Sequence, residues 1–344
     1  MNLLIVALLA LPVVAAAQPG AVSSAYEAAL RSYASGDRDD AVAEVAAWPE
    51  RRVRDEVDAL ERLSREGRGC TACAAEDAWR RTPVRAALML HSDCAQRLRR
   101  GGGLPRPHEW AAEKIARLLK DEPAQRPFAR RWFEAMAARA QSENRWGDAL
   151  DWAERGRDEF PEAAEILLVA ASLEETLGAL SPPGLPEARE HLSRAHRSLR
   201  SAVAADPSLT EARLRLGRVA WRLGETAEAR LALEEVLARE PRTDTAFLAH
   251  LFLGRLDEDA GRLDDAARAY EEALVLDARS QSARLALSHV RLRLGDPGAA
   301  RREVDTALRA AGRRPQPDAY RLYPWGQSVG AEGRLEALRR EASS

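Results

Sequence analysis

The sequence predicts an all-α chain in which antiparallel helix pairs stack one on the next. Three observations predict it. A two-helix unit running from Thr210 to Pro241 recurs on both sides with its small residues in register. Amphipathic runs with apolar residues three and four apart fill much of the remaining chain, and Gly or Pro stands at their boundaries. The composition, 46% hydrophobic and 31% charged over 344 residues, is ordinary for a soluble helical protein with room for an extended array.

Within the organising unit, Leu216-Gly217 lies mid-way along the first helix and Gly224 ends it. Ala229 and Leu233 lie four apart on the second helix, and Pro241 closes the unit. This arrangement resembles a tetratricopeptide repeat, with Arg213 where Trp is usual and Ala220 where Tyr is usual. The resemblance covers Pro127 to Gly312. It implies a right-handed superhelix of antiparallel helix pairs, a tetratricopeptide-like α-solenoid whose first helices line the concave side. Small residues at Gly217, Ala229, Gly254, Ala266 and Ala300 let neighbouring helices approach, so that each pair buries the apolar face it cannot bury alone.

Taken in order, residues 1–17 read as a signal peptide. Leu3 to Val14 is apolar apart from Pro12, and Ala15-Ala16-Ala17 offers a small-residue cleavage site before Gln18. No Lys or Arg precedes the run, which keeps an uncleaved membrane anchor as the alternative. No later window is apolar enough to cross a bilayer, so no transmembrane segment is expected after signal removal. Residues 18–126 form an N-terminal helical region with one degenerate repeat, in which Gly36 precedes Ala41 by the interval that separates Gly224 from Ala229. A charged helix with Val53, Val57, Leu60 and Leu63 on one face follows, and Thr82-Pro83 restarts the chain as a helix.

Residues 127–312 carry the repeats. Asn144-Arg145-Trp146 marks the first turn, and Gly178 to Pro186 stretches the second without removing either helix. Leu253-Gly254, Gly261, Ala266 and Tyr270 then repeat the organising unit 37 residues on. A last copy holds Leu287-Ser288, Gly295 and Ala300. Residues 313–344 are assigned to capping, because a solenoid exposes the apolar face of its final repeat and Tyr320, Tyr323 and Trp325 can cover it.

Net charge is −2, which gives no global reason to expect nucleic acid, and the 52 basic residues are Arg apart from Lys114 and Lys120. No nucleophile elbow, zinc-protease helix or phosphate loop occurs, so no catalytic residue and no cofactor is assigned. Cys70 and Cys73, followed by His91 and Cys94, have the spacing of a four-ligand zinc group with one His, and His91 and Cys94 share a helix face. The competing reading places His91 and Cys94 on the core stripe with Val84, Leu88 and Leu98. In an oxidising compartment Cys70, Cys73 and Cys94 are instead disulfide candidates, and no metal site is assigned. His191 and His196 read as surface residues, and Asp257 is placed to pair with Arg291.

By register, the first helices of three consecutive repeats project Arg215, Arg218, Trp221 and Arg222, then Arg255, then His289 and Arg293, toward the concave side. These are the expected partner-binding residues. The expected partner is another protein or peptide that is acidic or presents a C-terminal carboxylate, because a guanidinium grips a carboxylate in two places. On this reading an Arg218→Glu, Arg222→Glu chain stays folded and loses its partner. The chain is thus expected to be a non-catalytic interaction scaffold or adaptor of the bacterial cell envelope, exported to the periplasm or secreted. Two alternatives remain open: an envelope enzyme using the Cys/His group while its repeats recruit substrate, and a membrane-tethered assembly factor.

Overall fold

The computed structural model describes residues 22–68, 74, 79, 82–182, 185–311 and 319–343. The segment read as a signal peptide, together with Cys70 and Cys73, lies outside the described residues. Every regular element among the described residues is helical. The chain divides into two units, one within Met1–Phe128 and Ala337–Ser344, the other spanning Ala129–Glu336.

The first unit contains α1 (Ser24–Ser35), α2 (Arg38–Ala46), α3 (Glu50–Arg68), α4 (Val84–Arg100) and α5 (Arg106–Lys120). The Ser23 hydroxyl caps α1 by accepting from the Tyr26 amide. Gly36, at φ 110°, ends α1 in the left-handed region where a Cβ would be strained. Its core is built from Tyr26, Leu30 and Tyr33 of α1, Val53, Val57 and Leu60 of α3, and the face of α4 that carries Leu88, His91 and Cys94.

The second unit is the repeat array. Its helix pairs are α6 (Arg126–Ser142) with α7 (Trp146–Glu159), α8 (Ala164–Leu180) with α9 (Pro186–Ala205), and α10 (Thr210–Leu223) with α11 (Thr226–Arg239). Two more follow, α12 (Asp244–Asp259) with α13 (Leu263–Leu276) and α14 (Gln281–Arg293) with α15 (Pro297–Ala311). A short α16 (Ala319–Leu322), a 3-10 turn (Tyr323–Ser328) and α17 (Ala331–Ala342) complete the described chain. The turns inside four of the pairs hold a residue of positive φ at the equivalent place: Asn144, Gly224, Gly261 and Gly295. Asn is the residue other than Gly that best tolerates this conformation, which explains why the first turn keeps the geometry without a glycine.

Close packing explains the small residues within each pair. A Cβ on Gly217 would lie 2.7 Å from Leu233 Cγ, and a Cβ on Gly254 would enter the ring of Tyr270. Each glycine is therefore the notch that receives the large residue of the second helix. Arg213, standing where the repeat usually has Trp, is buried and holds the pair together by hydrogen bonds. Its Nε donates to Glu235 at 2.6 Å and its Nη1 to the Pro207 carbonyl at 2.8 Å. The stretched turn after Leu180 leaves α8 and α9 packed along their length, as an insertion at a repeat edge should.

Three side-chain expectations are corrected here. His191 and His196 are not simple surface residues: Glu174 lies 2.5 Å from His191 Nδ1, and Glu228 lies 2.8 Å from the buried His196 Nε2. Asp257 pairs with Arg230 and Arg262, while Arg291 reaches Glu271 instead. The aromatics assigned to a terminal lid lie elsewhere. Tyr320 and Tyr323 meet Phe252 of α12, and Trp325 meets Trp146 of α7, so the segment runs back along the array.

Candidate functional site

Helices α8, α10, α12 and α14 are the first helices of consecutive repeats, and their shared face holds the residues singled out in the sequence. The structure divides those seven residues into three groups.

Arg215 and Arg218 point inward, onto Glu175 of α8. Glu175 is almost fully buried in a helix otherwise rich in Leu, Val and Ala, and a lone carboxylate there would be costly. Arg215 Nη1 donates to its Oε2 at 2.8 Å and Arg218 Nη1 to its Oε1. The Tyr323 hydroxyl completes the shell, 2.8 and 3.0 Å from the two carboxylate oxygens. Burial pushes the Glu175 pKa up, but Arg218, Arg215 and the Tyr323 hydroxyl outweigh it and hold the carboxyl below its ordinary range. The same burial raises the Tyr323 phenol far above its usual value, so it stays a donor.

Tyr323 is held by its ring and backbone as well. The Arg215 guanidinium lies 4.4 Å from the ring centroid, and the ring meets Phe252 edge-on at 5.3 Å. Arg215 Nη2 donates to the Tyr323 carbonyl at 3.2 Å, and Thr176 Oγ1 lies 3.0 Å from the Pro324 carbonyl. Gly326 follows at φ 45°, where a Cβ would come within 2.9 Å of Arg215 Nη2. Arg215 is therefore withdrawn from the open surface expected of it. Its charge serves the chain's own C-terminal segment.

Trp221, Arg222 and Arg255 form the second group and line a cavity of about 650 Å³. Phe252 and Leu285 give it apolar walls, Arg218 reaches it from behind, and Tyr320 closes one side. Leu285 is half exposed. Trp221 is oriented by its indole N–H, which donates to Asp259 at 3.0 Å. Arg255 lies 3.4 Å from both Glu258 and Asp259. Arg222 has no ion-pair partner among the described residues. Partial burial and the nearby Arg218 charge lower its pKa, while Glu175 acts in the opposite direction.

His289 and Arg293 form the third group, and both converge on Glu258. His289 Nδ1 lies 2.6 Å from its Oε1 and Arg293 Nη1 donates to the same oxygen at 3.2 Å, while Tyr270 donates to Oε2 at 3.0 Å. These two residues brace α14 against α12 and do not line the cavity. Sequence reasoning missed Glu175 and Leu285 altogether. The acidic pair Glu174-Glu175, set inside the apolar run of α8, was the available signal for the first.

The Cys/His group reads differently in the structure. Both ring nitrogens of His91 are engaged inside the core of the first unit, Nε2 with the Tyr26 hydroxyl at 2.8 Å and Nδ1 with His108 Nδ1 at 2.9 Å. No lone pair is left for zinc. Burial, with His108 adding to it, lowers the His91 pKa, and burial lowers His108 to about 4. Cys94 is buried with its thiol directed at the Val42 carbonyl, and burial raises its pKa, so it is neither a thiolate nor a nucleophile at neutral pH. Its pairing with Cys70 or Cys73 lies outside the described residues. Elsewhere, His196, Glu225 and Glu228 bring three potential donor atoms within 4.8 Å of one another. Arg200 approaches Glu228 at 3.7 Å, which makes this an ion-pair cluster between α9 and α11.

The tetratricopeptide-repeat family model matches residues 187–245, 214–284 and 251–315. No curated protein matches the sequence. Among solved structures, a crystal structure of MamA is 20% identical with a TM-score of 0.42, over 51% of this chain and 93% of that one. MamA 41-end from Desulfovibrio magneticus RS-1 is 17% identical with a TM-score of 0.45, over 54% of this chain and 97% of that one. The notched glycines, the positive-φ turns and the three overlapping family matches agree: across residues 187–315 this chain is a tetratricopeptide-repeat protein.

Proposed function

We propose that the chain is a non-catalytic interaction scaffold that binds a peptide segment of a partner protein in the cavity between α10, α12 and α14. Tetratricopeptide repeats are protein-binding scaffolds, and binding on such a face requires no chemistry. The observation that carries the site is a cavity that brings the Arg222 and Arg255 guanidiniums together with the apolar surfaces of Phe252, Leu285 and Trp221. A cation there is complemented by a carboxylate, and the Phe252, Leu285 and Trp221 walls by an adjacent apolar side chain. The partner segment therefore carries an Asp, a Glu or a C-terminal carboxylate beside a Leu or an aromatic residue. The groove half at Arg215 is excluded from the proposal, because Tyr323 fills it.

The setting we propose is the bacterial envelope, on the composition of residues 1–17. No described helix is long and apolar enough to cross a membrane. Mass spectrometry of the chain recovered from an envelope extract tests the setting: a terminus at Gln18 supports export, and an intact Met1 points to the tethered form. An array of tethered random 12-residue peptides, probed with the full chain, tests the site. Retained peptides should be enriched in an acid next to Leu or Phe, and Arg222→Glu with Arg255→Glu should remove that enrichment. Retention without acidic bias, or unchanged in the double variant, refutes the cavity.

A further inference from the structure

The cavity just described is not made by the repeats alone. Tyr320 supplies one of its walls, and Tyr320 belongs to the C-terminal segment. We propose that the Ala319–Ser328 segment is a permanent wall of the partner site and that Tyr320 reads the partner peptide together with Arg222 and Arg255. This rests on the peptide-binding reading above and names a determinant which that reading lacks.

The segment divides its labour between two tyrosines three residues apart. Tyr323 is 6% exposed and Tyr320 is 41% exposed, so one side chain anchors and the other is presented. The anchor is built from several independent bonds: the hydroxyl to Glu175, the carbonyl to Arg215, and the neighbouring Pro324 carbonyl to Thr176. A segment held through a buried carboxylate is placed as firmly as a core side chain, and its next turn is fixed with it. Tyr320 then rests edge-on against Phe252, 6.2 Å between centroids, leaving the rest of its ring open to the cavity. It lines the same cavity as Arg218 and Arg222.

This placement matches the chemistry of the proposed ligand. A tyrosine offers a flat apolar surface and one hydroxyl donor at little entropic cost, and Arg222 beside it offers a cation. A partner carboxylate would accept from both, while its apolar neighbour lies between the Tyr320 ring and Leu285. The opposite arrangement, in which the segment competes with the partner and must leave, makes a contrary prediction. Loosening the anchor would then strengthen binding, whereas in a permanent wall it weakens it.

The test uses the full chain and the same array of random 12-residue peptides. Tyr320→Ala should cut retention on acid-plus-apolar peptides about tenfold, and Tyr320→Phe, which keeps the ring, about threefold. Tyr323→Phe, which removes only the hydroxyl from Glu175, should also lower retention. An increase with Tyr323→Phe would overturn the proposal in favour of a competing segment. Unchanged retention in Tyr320→Ala, with loss in Arg222→Glu, Arg255→Glu, would overturn it while leaving the cavity as the site. If none of these variants alters retention, the binding site itself is wrong. A photoreactive phenylalanine placed at position 320 gives a direct second readout: crosslinks to retained peptides support the wall, and their absence removes it.

Discussion

The two halves of the first-helix face use the same residue type to opposite ends. At Arg215 and Arg218 the guanidiniums are turned inward, matched by Glu175 and covered by Tyr323. At Arg222 and Arg255, less than two turns of helix or one repeat away, they border open space. The difference is the burial of the arginines themselves: Arg215 and Arg218 are enclosed with Glu175, whereas Arg255 is half exposed even though it reaches Glu258 and Asp259. Where α8 contributes Glu175, two arginines become structural and capture a piece of their own chain; Arg222 makes no ion pair among the described residues. An arginine count along a helix therefore says little about binding until its counter-charges are placed.

Breaking the inner half should have the largest effect. Glu175→Ala leaves Arg215 buried without its main counter-charge and frees Tyr323, and it should cost about 3–5 kcal/mol, read as a lower denaturant midpoint. Unchanged stability would mean that the carboxylate does not organise this half. Arg218→Glu comes next, because it sets a second carboxylate against Glu175, and a loss of about 2–3 kcal/mol is expected in the same measurement. The Arg218→Glu, Arg222→Glu double variant is therefore no neutral test of binding, contrary to the sequence expectation. Its first substitution attacks the fold.

Acid sharpens the comparison further. The folded-state pKa of Glu175 is depressed, so its contribution is complete above the ordinary carboxylate value and is lost as pH falls through that value toward the lower folded one. Urea midpoints of wild type and Glu175→Gln should differ at pH 7 and converge below about pH 4. In the first unit the window is higher. His108 is lowered from 6.5 to about 4, so the unfolded chain binds the extra proton and stability falls as pH drops through that interval. The smallest effect belongs to the outer half. Arg222→Ala, which removes a guanidinium with no ion pair among the described residues, should shift stability by less than about 0.5 kcal/mol while weakening peptide retention.

Much of the array was legible because its signals are local. The positive-φ turn, the notch at Gly217 or Gly254 and the large residue four past the following Ala recur at fixed intervals, and each is set by sterics within one helix pair. Register alone brought Arg218, Trp221, Arg222 and Arg255 to one face, and they share one cavity wall. Register also placed Arg215, His289 and Arg293 on that face, but it carries no information about what lies opposite them.

That part was decided by contacts between residues distant in sequence. Glu175 meets Tyr323 from 148 residues away and Arg215 from 40. Capping the last repeat and filling the groove need the same aromatic residues, so composition cannot separate them. The buried carboxylate does, because Glu175 with its two arginines requires a hydroxyl and a flat ring to close its shell, and Tyr323 supplies both. The sequence alone determines the helix pairs, their spacing and which side chains share a face, since those follow from backbone period and steric fit. Only the tertiary structure decides which of those side chains are neutralised within the chain and which remain for a partner, because charge pairing depends on distance in space and not on position along the helix.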